Sequence, residues 1–216
     1  MAFGDRPARE IRNVIAEPHW GGERVLVKIV RGDVTLRDVD GDAVPGFAEV
    51  RDALAEAARA GDLLLDGYLV AGRLQQRAGH EHPLGVESVP TVTQMARQMI
   101  LGGGGRNPRQ EAYEQAARRR QPLPDAETSF VGMDLLWLDG EPLIGLPLQE
   151  RRRLLESVMA DGELVQRNVI VRPPVEAWYA QWKALGFQEF AVKDANSRYT
   201  PGGVSRDWTI TRIPKR

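Results

Sequence analysis

Cysteine is absent from the 216 residues of this chain, which excludes disulfide bonds and cysteine-ligated zinc sites. Only three histidines are present. His80 and His82 lie close together but have no partners at the spacing of a zinc site, so we predict no metal there. No run of about twenty apolar residues occurs, and the first residues carry acids and no apolar core. We therefore expect no membrane span, no signal peptide and a cytoplasmic location.

A strong net charge is also lacking, because the formal net charge is −1. Any nucleic-acid binding must then come from local basic groups, which occur at residues 118–120, at residues 151–153, and at Lys215 with Arg216. Residues 118–120 close a predicted helix, where they either complement the helix dipole or contact phosphates. Arg151 and Arg152 either contact DNA or form the solvated face of a helix. These groups favour weak, electrostatic, sequence-independent DNA binding over a specific mode.

The hydrophobic fraction of 42% and the charged fraction of 27% are typical of a soluble globular protein. The first half of the chain predicts a strand, a second strand, a helix and a third strand. The helix has Phe47, Val50, Leu54 and Ala57 at helical spacing. This order indicates a mixed α+β domain. The predicted elements are strands at 25–30, 34–37 and 63–70, a turn at 31–33 and a helix at 46–60.

The second half repeats this mixture of strands and helices. Trp178 and Trp182, one helical turn apart, are predicted to be core residues and not a base-stacking platform. Residues 1–13 are expected to be a loose arm, and the four glycines at 102–105 a flexible joint. The predicted elements are strands at 130–138, 164–171, 188–193 and 208–213, and helices at 90–101, 108–120, 147–159 and 174–185.

Residues 17–24 read E-P-H-W-G-G-E-R. They resemble the nucleophile motif of ATP-dependent DNA ligases, E-P-K-x-D-G-x-R. Further segments are similar to other motifs of that family, occur in the family's order and span nearly the whole chain. They are MDLLWLDGEPLIGLPLQERRRLLE from Met133, GFQEFAVKDANSRYTPG from Gly186, RDWTITR from Arg206 and LLDGYLV from Leu64.

This resemblance implies the α+β nucleotidyltransferase fold, with antiparallel sheets and flanking helices around a cleft. Residues 1–216 are expected to form a single adenylation-type domain. Residues 79–128 match the family poorly and are expected to be a divergent, flexible insertion. Family ligases continue into an OB-fold domain, whereas this chain ends four residues after Arg212, so we expect no OB-fold domain.

The resemblance also assigns the positions of the site. In the family, the motif lysine attacks the α-phosphate of ATP and becomes adenylylated; that position is His19 here. Met133 stands where an aromatic residue is expected to stack on adenine, and Arg212 where a lysine is expected. The remnants of the nucleotide pocket are Glu17, Arg24, Asp66, Met133, Lys193 and Arg212. The altered catalytic positions are Gly21, Tyr68, Gln188 and Ile210, which replace an aspartate, two glutamates and a lysine.

Adenylyl transfer needs a nucleophilic nitrogen, carboxylates that hold magnesium or manganese, and cations at the phosphates. Tyr68 and Gln188 supply no carboxylate, and Glu189 replaces one only through a one-residue slip that turns it to the other face of the strand. His19 is either a divergent nucleophile, since imidazoles form phosphoramidates, or a neutral residue that lines the pocket. Lys28 is a weaker candidate nucleophile, because it lies on the following strand.

Three functions are compatible with this pattern. The first is a catalytically silent, ligase-like domain that acts in DNA repair as a DNA-binding or partner module. The second is a divergent but active nucleotidyltransferase or ligase subunit that needs a partner, with ATP and magnesium or manganese as cofactors. The third is a nucleotide sensor that binds ATP without reacting. The intact mass of the protein after incubation with ATP and metal separates the second from the other two.

Overall fold

The structure, a computed structural model, describes residues 1–72 and 127–214. The strands are β1 (Ala2–Gly4), β2 (Val14–Pro18), β3 (Glu23–Val30), β4 (Asp33–Arg37), β5 (Asp62–Ala71), β6 (Thr128–Leu138), β7 (Glu141–Pro142), β8 (Val165–Arg167), β9 (Glu189–Asp194) and β10 (Val204–Arg212). The α-helices are α1 (Ala48–Ala57), α2 (Leu148–Val158) and α3 (Tyr179–Ala184). Short 3-10 helices span Ala8–Glu10 and Val175–Trp178. None of the helices in the described ranges is long and apolar enough to span a membrane.

The strands form two sheets. The smaller sheet has the order β1-β10-β9-β2, and the larger has β4-β3-β5-β6-β7, with β8 beside β6. The pairs β1–β10 and β6–β8 are parallel, and the other pairs are antiparallel. This α+β arrangement of antiparallel sheets with flanking helices is the fold class predicted from the sequence.

The cores follow from the two-residue period of the strands. In β3, Val25, Val27 and Ile29 are buried against the face that α1 and α2 cover, and Arg24 and Leu26 point the opposite way. The outer face of the smaller sheet packs against α3 through Trp182. A third cluster lies on the inner faces of both sheets, and its buried members are Ile15, Leu136, Leu148, Ala195, Tyr199 and Trp208. Polar residues at the same strand parity as these apolar ones, such as Glu17 two residues after Ile15, therefore face the space between the sheets.

Several predicted elements are confirmed, among them the tight turn between β3 and β4, where Arg31 and Gly32 have φ of 50° and 86°. The strand predicted at 164–171 is shorter, because only Val165–Arg167 pairs with β6. The helix predicted at 174–185 is a 3-10 turn followed by α3. Trp182 is a core residue as predicted, and Trp178 is partly buried against the same cluster.

The prediction of a loose arm at residues 1–13 is wrong. Ala2–Gly4 forms strand β1 on the edge of the smaller sheet, and Ile11 is buried in a core cluster. A three-residue strand is too short to show a periodic pattern in the sequence. It is recognised only by its pairing with β10 in the folded chain. The predictions for 90–101, 102–105 and 108–120, the pair His80 and His82, the pair Lys215 and Arg216, and most of the insertion at 79–128 lie outside the described residues.

Candidate functional site

Strand register brings Glu17, Lys193 and Trp208 to one face of the smaller sheet. Lys193 lies opposite Trp208 on β10, and Glu17 lies opposite Ala191, two residues before Lys193. Side chains directly opposite each other in a sheet share a face, as do residues two apart on a strand. This face points toward the larger sheet and forms one wall of a cleft.

The ammonium group of Lys193 is enclosed on this wall. Lys193 is 1% exposed and forms an ion pair with the carboxylate of Glu17, which is 2% exposed. Its Nζ atom lies 4.1 Å from the ring centroid of Trp208 and 5.5 Å from that of Phe3. The positive charge is thus neutralised by Glu17 and covered by two aromatic faces, which attract cations through the ring quadrupole.

Arg24 and Asp66 form the opposite wall on β3 and β5. Arg24 donates two hydrogen bonds to the Asp66 carboxylate, one of them 2.9 Å from Nε to Oδ1. Tyr199 donates its hydroxyl hydrogen to Asp66 Oδ2 at 2.9 Å. Asp66 is fully buried, and its carboxylate is paired with the Arg24 guanidinium. Burial opposes the charge on Arg24, but its hydrogen bonds and attraction to Asp66 outweigh this and raise the pKa of Arg24.

His19, directly after β2, stands at the mouth of the cleft. Its ring contacts Tyr68 and Phe3 edge to face, with centroid separations of 5.7 Å and 6.0 Å. Burial lowers the pKa of His19 below its ordinary value, the Glu189 carboxylate opposes this shift, and Lys193 and Arg24 reinforce it. His19 is therefore held neutral near pH 7, beside two cations.

Three of the other assigned positions lie near His19. Tyr68 and Met133 are both buried and belong to one cluster, against which Trp20 packs. Gly21, with φ of 61°, begins the connection to β3. The neighbouring Gly22 allows close approach of the chain, because a Cβ atom there would lie 2.1 Å from the carbonyl oxygen of Leu69. The positions of two replaced acids and of the adenine-stacking residue thus border one region.

Ile210 lies opposite Ala191 on the cleft side of β10, with its side chain partly buried. Gln188 and Arg212 differ from it in being exposed. Gln188 precedes β9, and the Arg212 side chain is 89% exposed, 3.9 Å from Glu189. These two side chains do not join the cluster around His19.

Glu189 is a cleft residue that the sequence reasoning set aside. It lies two residues before Ala191 and four before Lys193, so the three share a face, and its charge acts on His19. The motif places a glutamate five positions before the lysine, which in a regular strand gives opposite faces. Counting the two-residue period backward from Lys193, instead of following the motif, would have identified Glu189 as the cleft-facing acid.

Arg151 and Arg152 are buried, so both readings proposed for them, DNA contact and a solvated helix face, are wrong. Arg151 pairs with Asp134 through two hydrogen bonds of 2.9 Å and 2.7 Å, and both side chains are 0% exposed. Arg152 donates hydrogen bonds to the backbone carbonyls of Met133 and Asn168. Burial raises the pKa of Asp134 and outweighs the lowering effect of Arg151.

The donor set of the cleft does not fit a magnesium-type site, which requires several free oxygen ligands. Both oxygens of Asp66 accept hydrogen bonds, and Glu17 is paired with Lys193. Tyr68 and Gln188 carry no carboxylate. In ranges 1–72 and 127–214, no group of three His, Cys, Asp or Glu residues is arranged to hold a metal ion.

The family model described as "ATP dependent DNA ligase domain" matches residues 8–210. The chain belongs to this family. Similar curated proteins include a DNA ligase of Thermococcus onnurineus, 37% identical over 219 residues, which covers 96% of this chain and 32% of that protein. Another is the multifunctional non-homologous end joining DNA repair protein LigD of Mycobacterium tuberculosis, 29% identical over 193 residues, covering 89% and 20%. This DNA ligase-type chain therefore spans about a fifth to a third of the length of these relatives.

The comparison with solved structures supports the fold. The crystal structure of the ligase domain from M. tuberculosis LigD has a TM-score of 0.64 and 24% identity to this chain. The match covers 98% of this chain and 58% of that domain. The two-sheet arrangement is therefore that of a DNA ligase nucleotidyltransferase domain, as the motifs implied.

Proposed function

We propose that this DNA ligase-type domain is catalytically silent and acts in DNA repair as a DNA-binding or partner module. The observation that carries the proposal is the state of the cleft. The nucleophile position holds the imidazole of His19 in place of a lysine, and it packs against Tyr68, which occupies a position for a metal-binding carboxylate. The acids that remain, Glu17 and Asp66, are neutralised by Lys193 and Arg24.

The role in DNA repair is supported by the relatives. LigD of M. tuberculosis is named a non-homologous end joining DNA repair protein. A domain that keeps this fold without a reactive centre still offers a surface for DNA or for a repair protein. Only the role in DNA repair is inferred from these relatives. Their catalytic activity is not, because the nucleophile and metal-binding positions of the family motifs are altered in this chain.

DNA binding tests the module directly. We expect modest affinity for a nicked duplex that falls steeply with salt, because the charges available are local basic groups. Of the residues 151–153, only Arg153 is exposed, at 76% of its side chain, and it pairs with Glu150. The basic run at 118–120 and the pair Lys215 and Arg216 then remain as candidates, and the larger run is tested first. Replacing Arg118, Arg119 and Arg120 by Gln should weaken binding in fluorescence anisotropy more than Arg153→Gln, the matched control. An affinity that does not change with salt refutes the electrostatic mode.

A divergent, active nucleotidyltransferase subunit is the second candidate, and Glu189 is the observation that favours it. The Glu189 carboxylate acts on His19 and lies on the same face as Lys193. An acid and an amine thus both act on the imidazole of His19, and a partner protein would supply the remaining groups. Intact mass after incubation with ATP and manganese separates the candidates, since only the active subunit gains one AMP unit. Nucleotide binding that leaves the mass unchanged would instead indicate a sensor.

A further inference from the structure

We propose that strand β1 is a built-in plug, which holds the Phe3 ring over the cations of the cleft and prevents a nucleotide from entering. The inference rests on the proposed silent function and extends it, because it gives the N-terminal strand a role in closing the site. Sequence patterns gave no sign of it, and residues 1–13 were expected to be a loose arm.

Phe3 is a side chain that contacts both walls of the cleft. Its ring centroid lies 5.8 Å from that of Trp208 and 6.0 Å from that of His19. The Arg24 guanidinium carbon lies 6.0 Å from the same centroid, and Lys193 Nζ lies 5.5 Å from it. One aromatic ring therefore contacts two cations, the nucleophile position and the aromatic wall.

The chemistry of these neighbours is that of an anion site covered by an apolar group. A phosphate that entered would compete with Glu17 for Lys193 and with Asp66 for Arg24, through charge-assisted hydrogen bonds. Phe3 offers them only its ring face, which attracts cations but neutralises no charge. Among the described residues, no hydrogen-bond acceptor of good geometry satisfies Lys193 Nζ, although the Glu17 carboxylate is paired with it. A ligand that displaced Phe3 could accept hydrogen bonds from the N–H groups of Lys193 that do not face Glu17.

The strand is anchored by its backbone. Ala2 N–H donates to the carbonyl of Gly203 at 2.8 Å, and Arg24 donates to the carbonyl oxygen of Met1. Gly4 lies so close to β10 that a Cβ atom would be 2.2 Å from the Ser205 carbonyl oxygen. These contacts fix the direction of Phe3. A strand of three residues has few such bonds, so it is suited to local release while the rest of the sheet stays paired.

The test is ATP binding by the full chain, measured by isothermal titration calorimetry with a chelator present so that no metal contributes. Phe3→Ala removes the ring and leaves the backbone contacts. We expect at least tenfold tighter ATP binding than in the wild type, and an intermediate gain for Phe3→Leu. Tyr179→Ala is the matched control, because it removes an aromatic ring packed on Phe190 at the outer face of the same sheet. This control should bind ATP as the wild type does.

Circular dichroism melting checks that each variant folds. If Phe3→Ala fails to fold, the smaller change Phe3→Leu decides the question. If the folded Phe3 variants and the wild type bind ATP with equal affinity, the plug is overturned. AMP transfer to the wild-type protein is a separate readout, and it would overturn the silent function whatever the Phe3 variants do.

Discussion

The ring of Tyr68 lies edge to face against the ring of His19, with centroids 5.7 Å apart and planes at 83°. Two positions that the family uses for a nucleophile and for a metal-binding carboxylate are thus occupied by aromatic groups that pack together. Because the two side chains are in contact, restoring the lysine at position 19 or the glutamate at position 68 alone places a charged group against the other aromatic ring. This contact explains why restoring a single catalytic residue should restore no activity.

The first prediction concerns His19→Lys. The new ammonium joins Lys193 and Arg24 without a new acid, so we expect the free energy of unfolding to fall by about 1–3 kcal/mol. Adding Tyr68→Glu should recover part of this loss, with a coupling energy of about 0.5–3 kcal/mol in urea unfolding. Tyr68→Gln, which adds no charge, is the control and should recover less. Equal recovery by Glu and Gln would contradict an electrostatic origin.

Neither His19→Lys alone nor His19→Lys combined with Tyr68→Glu should take up labelled AMP. The altered positions act as a unit with the nucleophile, and restoring one member of such a unit recovers little activity. We expect measurable adenylylation only when His19→Lys, Tyr68→Glu, Gln188→Glu and Ile210→Lys are combined. Ready labelling of the His19→Lys protein alone would mean that the other three substitutions are tolerated by the reaction.

The pH dependence of stability gives a second prediction. Burial lowers the pKa of His19 in the folded protein below its ordinary value of 6.5. Below pH 6.5 the unfolded chain therefore binds the proton more readily, and stability should fall as the pH falls toward the folded pKa. The slope from this one group is at most about 1.4 kcal/mol per pH unit.

The His19→Gln variant isolates this contribution, because glutamine does not titrate. Burial raises the pKa of Asp134, which gives a slope of opposite sign, but both proteins share this contribution. We expect the difference in unfolding free energy between wild type and variant to change below pH 6.5 and to be constant above it. A difference that is constant across this range would show that His19 titrates as in the unfolded chain.

The third prediction concerns the buried pair of Lys193 and Glu17. Lys193→Met leaves the Glu17 carboxylate buried without its partner, so we expect a loss of about 3–5 kcal/mol in urea unfolding. The double variant Glu17→Gln with Lys193→Met has no uncompensated charge and should lose clearly less. A double variant as unstable as the single one would show that packing, and not charge, dominates at this place.

The fourth prediction compares Arg151 with Arg153 on α2. Arg151→Met should cost about 3–5 kcal/mol, because Asp134 is buried and loses its partner. Arg153→Met should cost at most about 1 kcal/mol, because its pair with Glu150 is exposed to solvent. Thermal melting of the two variants measures the contrast, and comparable losses would contradict it.

The fold was predictable because motifs, strand periods and turn residues agreed over most of the chain. Motif spacing and strand parity agree at Glu17, Lys193 and Asp66, which the structure places in the cleft, while their role in binding a nucleotide stays a prediction. They diverge at Gln188, where the motif selects an exposed residue and the strand period places Glu189 in the cleft. Phe3 and Arg151 had no local signal at all. Their partners, Trp208 and Asp134, are distant in sequence, and only the folded arrangement brings them together.

The most direct test of the silent cleft is the intact mass of the wild-type protein after incubation with ATP and either magnesium or manganese. The structure predicts an unchanged mass, because His19 packs against Tyr68, which supplies no carboxylate for a metal, and the motif acids Asp66 and Glu17 are paired with Arg24 and Lys193. A gain of one AMP unit that disappears in the His19→Ala variant would contradict this account and identify His19 as a nucleophile.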